Sequence, residues 1–343
     1  MSESRYRDAG VNIDEQDRAI SAIKKLVAST FTQNVVTGLG SFGAMYQLPS
    51  GYIEPVLVSS ADGVGTKLKI AFLTGTHNTV GRCLVNHCVD DILVQGAKPL
   101  YFLDYIGTGK LEAGVVEAVV SGLSEGCREN GFSLIGGEMA EMPGFYSEGE
   151  YDIAGFITGI ADRSRLITGD AIQPGDRVYG FRSSGLHTNG YSLARKILLE
   201  EQGLTVDSYV DEFGCTVAEE LLKVHRTYLP ILEPAVDTGL VKGLAHITGG
   251  GFLDNIPRVL PETVSVEIRE SAVPRMPIFD FLVEQGNVSR SEAYRVFNMG
   301  IGMVAMVGAD QEAAFLSAVT EEPVLLGEVV PGDRKVHMVG DSA

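Results

Sequence analysis

Residues 55–67 constrain this chain most. An apolar strand pattern, PVLVS (55–59), runs almost directly into DGVGTK (62–67). A carboxylate, two glycines, a hydroxyl and an amine at the end of a strand are the parts of a magnesium and nucleotide site. Asp62 offers oxygen to Mg2+, Gly63 and Gly65 let the backbone approach phosphate, Thr66 adds a hydroxyl, and Lys67 neutralises developing charge. A strand-end turn with a solvated lysine is the other reading of the same segment.

Strand and helix patterns alternate around this run. Ile20, Ile23 and Val27 recur at helical spacing after Asp14 and Glu15, which predicts an amphipathic helix over 12–28. Helices follow at 79–95 and 111–130, and strands at 100–106, 132–135 and 152–160. QPGD (173–176) is a turn signal that opens a second series: strand 177–182, helix 191–199, strands 264–268 and 301–307, and helix 309–319. A chain of 343 residues is long for one core. The reading is mixed α/β (α+β), with an N-terminal domain over 1–170 and a C-terminal domain over 171–343.

Hydrophobic residues make up 45% and charged residues 21%, enough apolar surface to offset the entropy of ordering the chain. The formal charge of -18 opposes a phosphate backbone, so nucleic acid is not expected as a partner. Cys83, Cys88, Cys127 and Cys215 form no CxxC pair and read as small buried hydrophobes in a reducing cytoplasm. The longest apolar run, 301–309, is broken by glycine and too short to span a bilayer, so no membrane association is expected.

Several further segments carry chemistry. GLGSFG (38–43) matches GxGxxG but follows a helix and precedes a strand, the reverse of the dinucleotide fingerprint. Its backbone N–H groups can wrap phosphate, or it is an ordinary turn. On the 80–95 helix, Asp91 shares a sector with Val80, Leu84, His87 and Cys88, whereas Asp90 projects with Arg82 and Asn86 toward a polar side. A carboxylate among apolar residues needs a partner or a metal, which selects Asp91 as a ligand; His87 reads as a satisfied core histidine. Asp104 alternates with Leu100, Phe102 and Ile106, and is a candidate for substrate contact. GGEMAEMPG (136–144) presents Glu138 and Glu141 on a flexible turn, with Glu138 the third metal-ligand candidate and Glu141 solvated. SSGLHTNGYS (183–192) offers Ser184, His187 and Asn189 where a helix begins. TGGG (248–251), with Gly249 and Gly250, and NMGIG (298–302) are turns able to form an opposing wall. No HExxH, GxSxG or paired CxxC is present, which leaves zinc hydrolysis and serine-nucleophile chemistry without support.

In order, YRDAGVNID (6–14), GLGSFGA (38–44), DGVGTK (62–67), VDDILVQGAKPLYFLDY (89–105), GGEMAEMPG (136–144), SSGLHTNGYSLARK (183–196), HITGGG (246–251) and FNMGIGM (297–303) closely resemble the AIR synthetases, nearly end to end. The resemblance implies that ATP phosphorylates the formyl-amide oxygen of formylglycinamidine ribonucleotide. The amidine nitrogen then closes the imidazole ring as phosphate leaves. It further implies that Asp62, Asp91 and Glu138 hold Mg2+, that Lys67 and the loop with Gly40, Ser41, Phe42 and Gly43 meet the ATP phosphates, and that Lys24 lies near nucleotide, although a solvated helix face explains Lys24 equally well. Asp62, Lys67, Asp91 and His187 are the catalytic candidates; Asp104, Ser184, His187, Asn189, Gly249 and Gly250 are those for substrate. Two α/β domains are implied, with a homodimer whose N-terminal strands join into a barrel. Two departures stand out: Asp90-Asp91 where the family commonly reads Asn-Asp, and Met139 where it reads Thr. Other ATP-using members of the superfamily (the amidotransferase synthetase subunit, selenophosphate synthetase, thiamine-monophosphate kinase and the hydrogenase maturation type) lack support here. There is no glutaminase region, no cysteine in the N-terminal glycine loop and no C-terminal cysteine. A non-catalytic nucleotide-binding scaffold is opposed by the presence of all three carboxylates and Lys67.

Overall fold

A computed structural model describes residues 9–340 and divides into two compact units, parting at Ile160 and Ala161. The first takes the described residues up to Ile92 together with Lys98–Ile160; the second takes Leu93–Ala97 and the remainder.

In the first unit, α1 (Ile13–Ala28) starts where Asn12 accepts the Glu15 N–H, and it buries Ala19, Ile23 and Val27 at i, i+4 spacing. Then come β1 (Pro55–Gly63), α2 (Leu68–Thr74), α3 (Asn78–Leu93), β2 (Lys98–Thr108), α4 (Ala113–Glu129), β3 (Ser133–Glu141) and β4 (Tyr151–Asp162). The sheet order is β1-β4-β2-β3, an open sheet with β1 and β3 at its edges. β2 pairs parallel with β3 and antiparallel with β4. The parallel pair requires a crossover, which α4 supplies. α3 and α4 approach so closely that a Cβ on Gly122 would lie 1.8 Å from the Asn78 carbonyl oxygen.

Two expectations are corrected here. GGEMAE is not a flexible turn: β3 extends through Glu141, because parallel pairing with β2 continues to Thr108↔Glu141. Gly137 permits this, since a Cβ there would meet Asp104 Oδ1 at 2.3 Å. The polar side assigned to α3 also fails. Asn86 and Asp90 are both buried, and Asn86 Oδ1 accepts from Asn130 Nδ2 at 3.0 Å at the end of α4. Asp90 is fully enclosed, while the Asp91 side chain is 25% exposed. Burial therefore does not single out Asp91; only its neighbours do.

The second unit contains β5 (Arg177–Arg182), α5 (Tyr191–Arg195) continued by a π-helical turn to Glu201, and the short pair β6 (Tyr209–Val210) and β7 (Cys215–Thr216). α6 (Val217–Leu221), α7 (Leu229–Asp237), β8 (Gly243–His246), α8 (Gly251–Asn255), β9 (Val264–Arg269), α9 (Pro277–Gln285) and α10 (Arg290–Val296) follow. β10 (Ile301–Val307), α11 (Glu312–Ala318), β11 (Val324–Pro331) and β12 (Val336–Val339) complete it. Six strands form one sheet in the order β12-β9-β11-β5-β10-β8. β10 is buried along its whole length, which suits its IGMVAMV run, free of any polar side chain. Val178, Val304, Met306, Ile268 and Leu326 form the core with Phe252 and Ile256. Among the described residues no helix is long and apolar enough to cross a membrane.

Candidate functional site

In the first unit, β1 carries Asp62 to its end, and the backbone turns through a 3-10 segment, Gly65–Lys67, into α2. Gly65 takes φ +55, a left-handed geometry that glycine adopts without strain. Asp62 Oδ1 accepts the Gly63 N–H at 2.6 Å, and Oδ2 lies 2.7 Å from His87 Nε2 on α3. One helical turn further on, Asp91 Oδ2 stands 4.0 Å from the same Nε2 and accepts from Ser60 Oγ at 2.9 Å. Burial pushes the Asp62 carboxyl upward, but the hydrogen bond and charge of His87, with the Gly63 N–H, outweigh it and hold the group below its ordinary value. Burial likewise opposes charge on His87, yet Asp62 and Asp91 raise it above an ordinary histidine. His87 is thus both a core histidine and the partner of Asp62. Lys67 is wholly buried, which removes the reading of a solvated lysine.

The 38–43 loop is a flap whose base is closed by Val36 N–H to Met45 O at 2.9 Å and Gln47 N–H to Asn34 O at 2.8 Å. Gly40, Ser41, Phe42 and Gly43 line a cavity of about 1030 Å³ with Ile23, Tyr101, Asp104 and Glu138. Phe42 is fully exposed at its rim. Asp104 is partly buried; desolvation drives its carboxyl up to about 7, against a smaller opposing contribution from its own backbone N–H. Lys24 is exposed on α1 and does not line this cavity.

Asp62 and Asp91 come together; Glu138 does not join them within this chain. Asp62 is on the β1 edge and Glu138 on the β3 edge, three strand spacings away, or roughly 14 Å. Among the described residues, no group of metal-capable side chains contains Glu138.

In the second unit, three loops emerge at one end of the sheet, because β10 runs antiparallel to both β5 and β8, with Ile301↔Arg182 and Met303↔His246. Asn298 clamps the 183–190 loop: its Oδ1 accepts from Ser183 Oγ at 3.0 Å and its Nδ2 donates to Gly185 O at 2.9 Å. Ser184 N–H donates to His187 Nε2 at 3.2 Å, and Ser184 Oγ to Val224 O at 2.6 Å. His187 sits at φ +61, uncommon for a residue with a Cβ. A Cβ on Gly249 would lie 3.3 Å from Asn189 Oδ1, which places the 248–251 turn beside Asn189, and Gly250 turns at φ +97. Sequence reasoning assigned no role to His225 and His246. Both are buried with His187, and ring nitrogens of the three lie within 4.8 Å of one another. His246 could have been found from its place before TGGG; His225, outside any glycine-rich turn, carries no such signal.

Comparison with known proteins gives a consistent picture. Residues 43–161 match the N-terminal domain, and 173–340 the C-terminal domain, of the AIR synthase related proteins. The phosphoribosylformylglycinamidine cyclo-ligase of Alkaliphilus oremlandii is 49% identical over 96% of this chain and 98% of its own. That of Geobacillus thermodenitrificans is 49% identical, over 95% and 96%. Among solved structures, a hydrogenase maturation protein HypE in complex with ATP superposes with a TM-score of 0.68 at 18% identity, covering 95% of this chain and 91% of that one. The thiamine-monophosphate kinase of Stenotrophomonas maltophilia gives 0.64 at 17%, covering 94% and 97%. At that identity the likeness shows the fold. The full-length matches at nearly half identity show more: this chain belongs to the phosphoribosylformylglycinamidine cyclo-ligase (AIR synthetase) family.

Proposed function

We propose that this enzyme closes the imidazole ring of a purine precursor: it converts formylglycinamidine ribonucleotide and ATP to 5-aminoimidazole ribonucleotide, ADP and phosphate, through an iminophosphate. The observation that carries the reading is the pairing of Asp62 with His87 and Asp91 at the end of β1, directly before the turn that buries Lys67. An amide oxygen is a poor leaving group until phosphorylated, and phosphoryl transfer calls for positioned charge more than for a covalent nucleophile. The oxygen donors of Asp62 and Asp91 fit Mg2+, which keeps several waters and needs only one or two protein carboxylates. When bound, Mg2+ neutralises phosphate charge. Lys67 and Thr66 sit next along the chain to meet the same phosphates, while the 38–43 flap stands over the cavity with Glu138 and would reach those phosphates only across the dimer. Ser184, His187, Asn189, Gly249 and Gly250 would hold the ribonucleotide on the three converging loops of the second unit. Asp104, raised to about 7, can hold or release a proton near neutrality.

The separation of Glu138 from Asp62 supports a homodimer. If two open four-stranded sheets close into one barrel by pairing the β1 edge of each subunit with the β3 edge of the other, the partner's Glu138 approaches Asp62. Exposed Leu57 on β1 and Phe156 on β4 would then be covered. Four free cysteines suit a cytoplasmic location.

The test is to incubate purified protein with Mg-ATP and formylglycinamidine ribonucleotide and follow ADP and aminoimidazole ribonucleotide together. One ADP per imidazole is expected; ADP without imidazole would overturn ring closure. Mixing Asp62→Asn and Glu138→Gln subunits should restore a fraction of activity if the carboxylates meet across the dimer. No recovery in a verified mixed dimer rejects that arrangement.

A further inference from the structure

His225 stands in none of the loops assigned to substrate, yet it joins two of them. It is wholly buried. Its Nε2 is 3.1 Å from His246 Nε2, and its Nδ1 is 3.3 Å from Thr188 Oγ1. Its ring stacks on His187 with centroids 4.0 Å apart and planes 24° from parallel. His246 ends β8 before the 248–251 turn, and His187 and Thr188 belong to the 183–190 loop. One imidazole therefore bridges both walls.

A metal centre is the obvious alternative for three clustered histidines, and the ring geometry opposes it. Imidazole lone pairs lie in the ring plane, and a ligating nitrogen stands about 2.0–2.1 Å from zinc. Two rings stacked nearly parallel at 4.0 Å have no point at that distance that lies in both ring planes, so their lone pairs do not converge on one ion. Stacking and a direct Nε2 to Nε2 hydrogen bond instead suit neutral imidazoles that fix one another. In that bond one nitrogen must donate and the other accept, so the tautomer of His225 dictates that of His246. His187 accepts the Ser184 N–H at Nε2, which leaves its proton on Nδ1. The stack on His225 then supports a side chain whose backbone is at φ +61.

We propose that His225 is a positioning residue: it sets the tautomer of His246 by hydrogen bonding and the orientation of His187 by stacking, so that both present a defined nitrogen to the bound ribonucleotide. The kinetic part rests on the ring-closing reading above; the tautomer part does not.

Two variants separate the contributions. His225→Phe keeps a ring against His187 and removes both hydrogen bonds, and His225→Gln keeps a hydrogen-bonding group without the ring. In protein labelled with 15N-histidine, wild type should show one tautomer at His246, and His225→Phe a mixture. With Mg-ATP and formylglycinamidine ribonucleotide, His225→Phe should lower kcat by about 100-fold, as expected for a misaligned reacting group, while KM stays close to wild type and His225→Gln recovers part of the loss. An unchanged His246 signal in His225→Phe overturns the proposal whether or not the enzyme closes the ring. So does loss of activity only in proportion to the unfolded fraction. Zn2+ added to wild type should leave the histidine signals in place; a saturable shift of all three would make the cluster a metal centre instead.

Discussion

The two units each gather ionisable side chains, and they do so by opposite means. In the first, Asp62, His87 and Asp91 are of unlike charge, and Asp62 keeps 43% of its side chain exposed at a sheet edge. In the second, His187, His225 and His246 are enclosed and are bonded to a hydroxyl, a backbone N–H and one another. On the proposed reading, the difference follows from what each would bind. A cluster that is to meet a cation and a polyphosphate must keep charge and an open side, since an ionised carboxylate is costly to enclose without compensation. Neutral imidazoles can be buried at a much lower cost than a charge, and burial then fixes their orientation. Charge is held ready in one unit and geometry in the other.

The widest separation between the two should come from the carboxylates. Asp62→Asn and Asp91→Asn each remove charge from the open cluster and should depress kcat by about 10²–10³-fold, the scale seen when a group placed to stabilise a developing charge is lost, with little change in melting temperature. Asp90→Asn alters a wholly enclosed position on the same helix. It should leave the melting temperature unchanged or raised, because an enclosed carboxylate is costlier to hold than the isosteric amide, and kcat per folded enzyme within about threefold, since it touches no reacting charge. Steady-state kinetics paired with thermal denaturation check this. An Asp90→Asn enzyme as slow as Asp91→Asn but fully stable would show that the open cluster extends to Asp90.

That contrast also marks what could be read from residues alone. The α1, α3 and β2 segments carry strong periodicity and were legible to within a few residues, as was the strand that delivers Asp62. The environment of α3 was not. A helical projection assumes one wet side, but α3 is enclosed nearly all round, and its polar residues Asn86 and Asp90 point into protein. The parting of Glu138 from Asp62 depends on sheet order, which local patterns do not encode. β8 is four residues long, and β11 carries an irregularity between Leu325 and Gly327 that breaks its alternation. His225 and His246, twenty-one positions apart, meet only through long-range packing.

Asp104 sharpens the comparison from within the first unit, as a carboxylate treated by burial rather than by pairing. Its folded value of about 7 lies above the ordinary 3.8. The folded state therefore holds the proton that the unfolded state releases, and stability falls as pH rises from about 4 through 7. Across that interval, at about 1.4 kcal/mol per pH unit, the loss cannot exceed roughly 4 kcal/mol, and the part of Asp104 that stays wet reduces it. Asp104→Asn removes the ionisation. Denaturant titrations at pH 4 and pH 8 should show the variant gaining on wild type at the higher pH, and parallel curves would place the carboxyl in water.

The smallest effect is expected in the histidine cluster. Thr188→Val keeps the shape and removes the hydroxyl that meets His225 Nδ1 at 3.3 Å and accepts from Asn189 Nδ2 at 3.5 Å. Both bonds are long, and a buried hydrogen bond contributes about 1 kcal/mol net. A hydroxyl can donate or accept by rotating, so it does not select a tautomer of His225. The bond from His225 to His246 should survive its loss. The expectation is a melting temperature lower by about 2–4 °C for a unit of this size, and kcat within about threefold of wild type. Differential scanning calorimetry and initial rates on one preparation would measure both. A large fall in kcat at unchanged stability would mean that the Thr188 hydroxyl carries charge or proton during the reaction. The cluster would then be chemically active like the carboxylates, and the division between charge in one unit and geometry in the other would no longer hold.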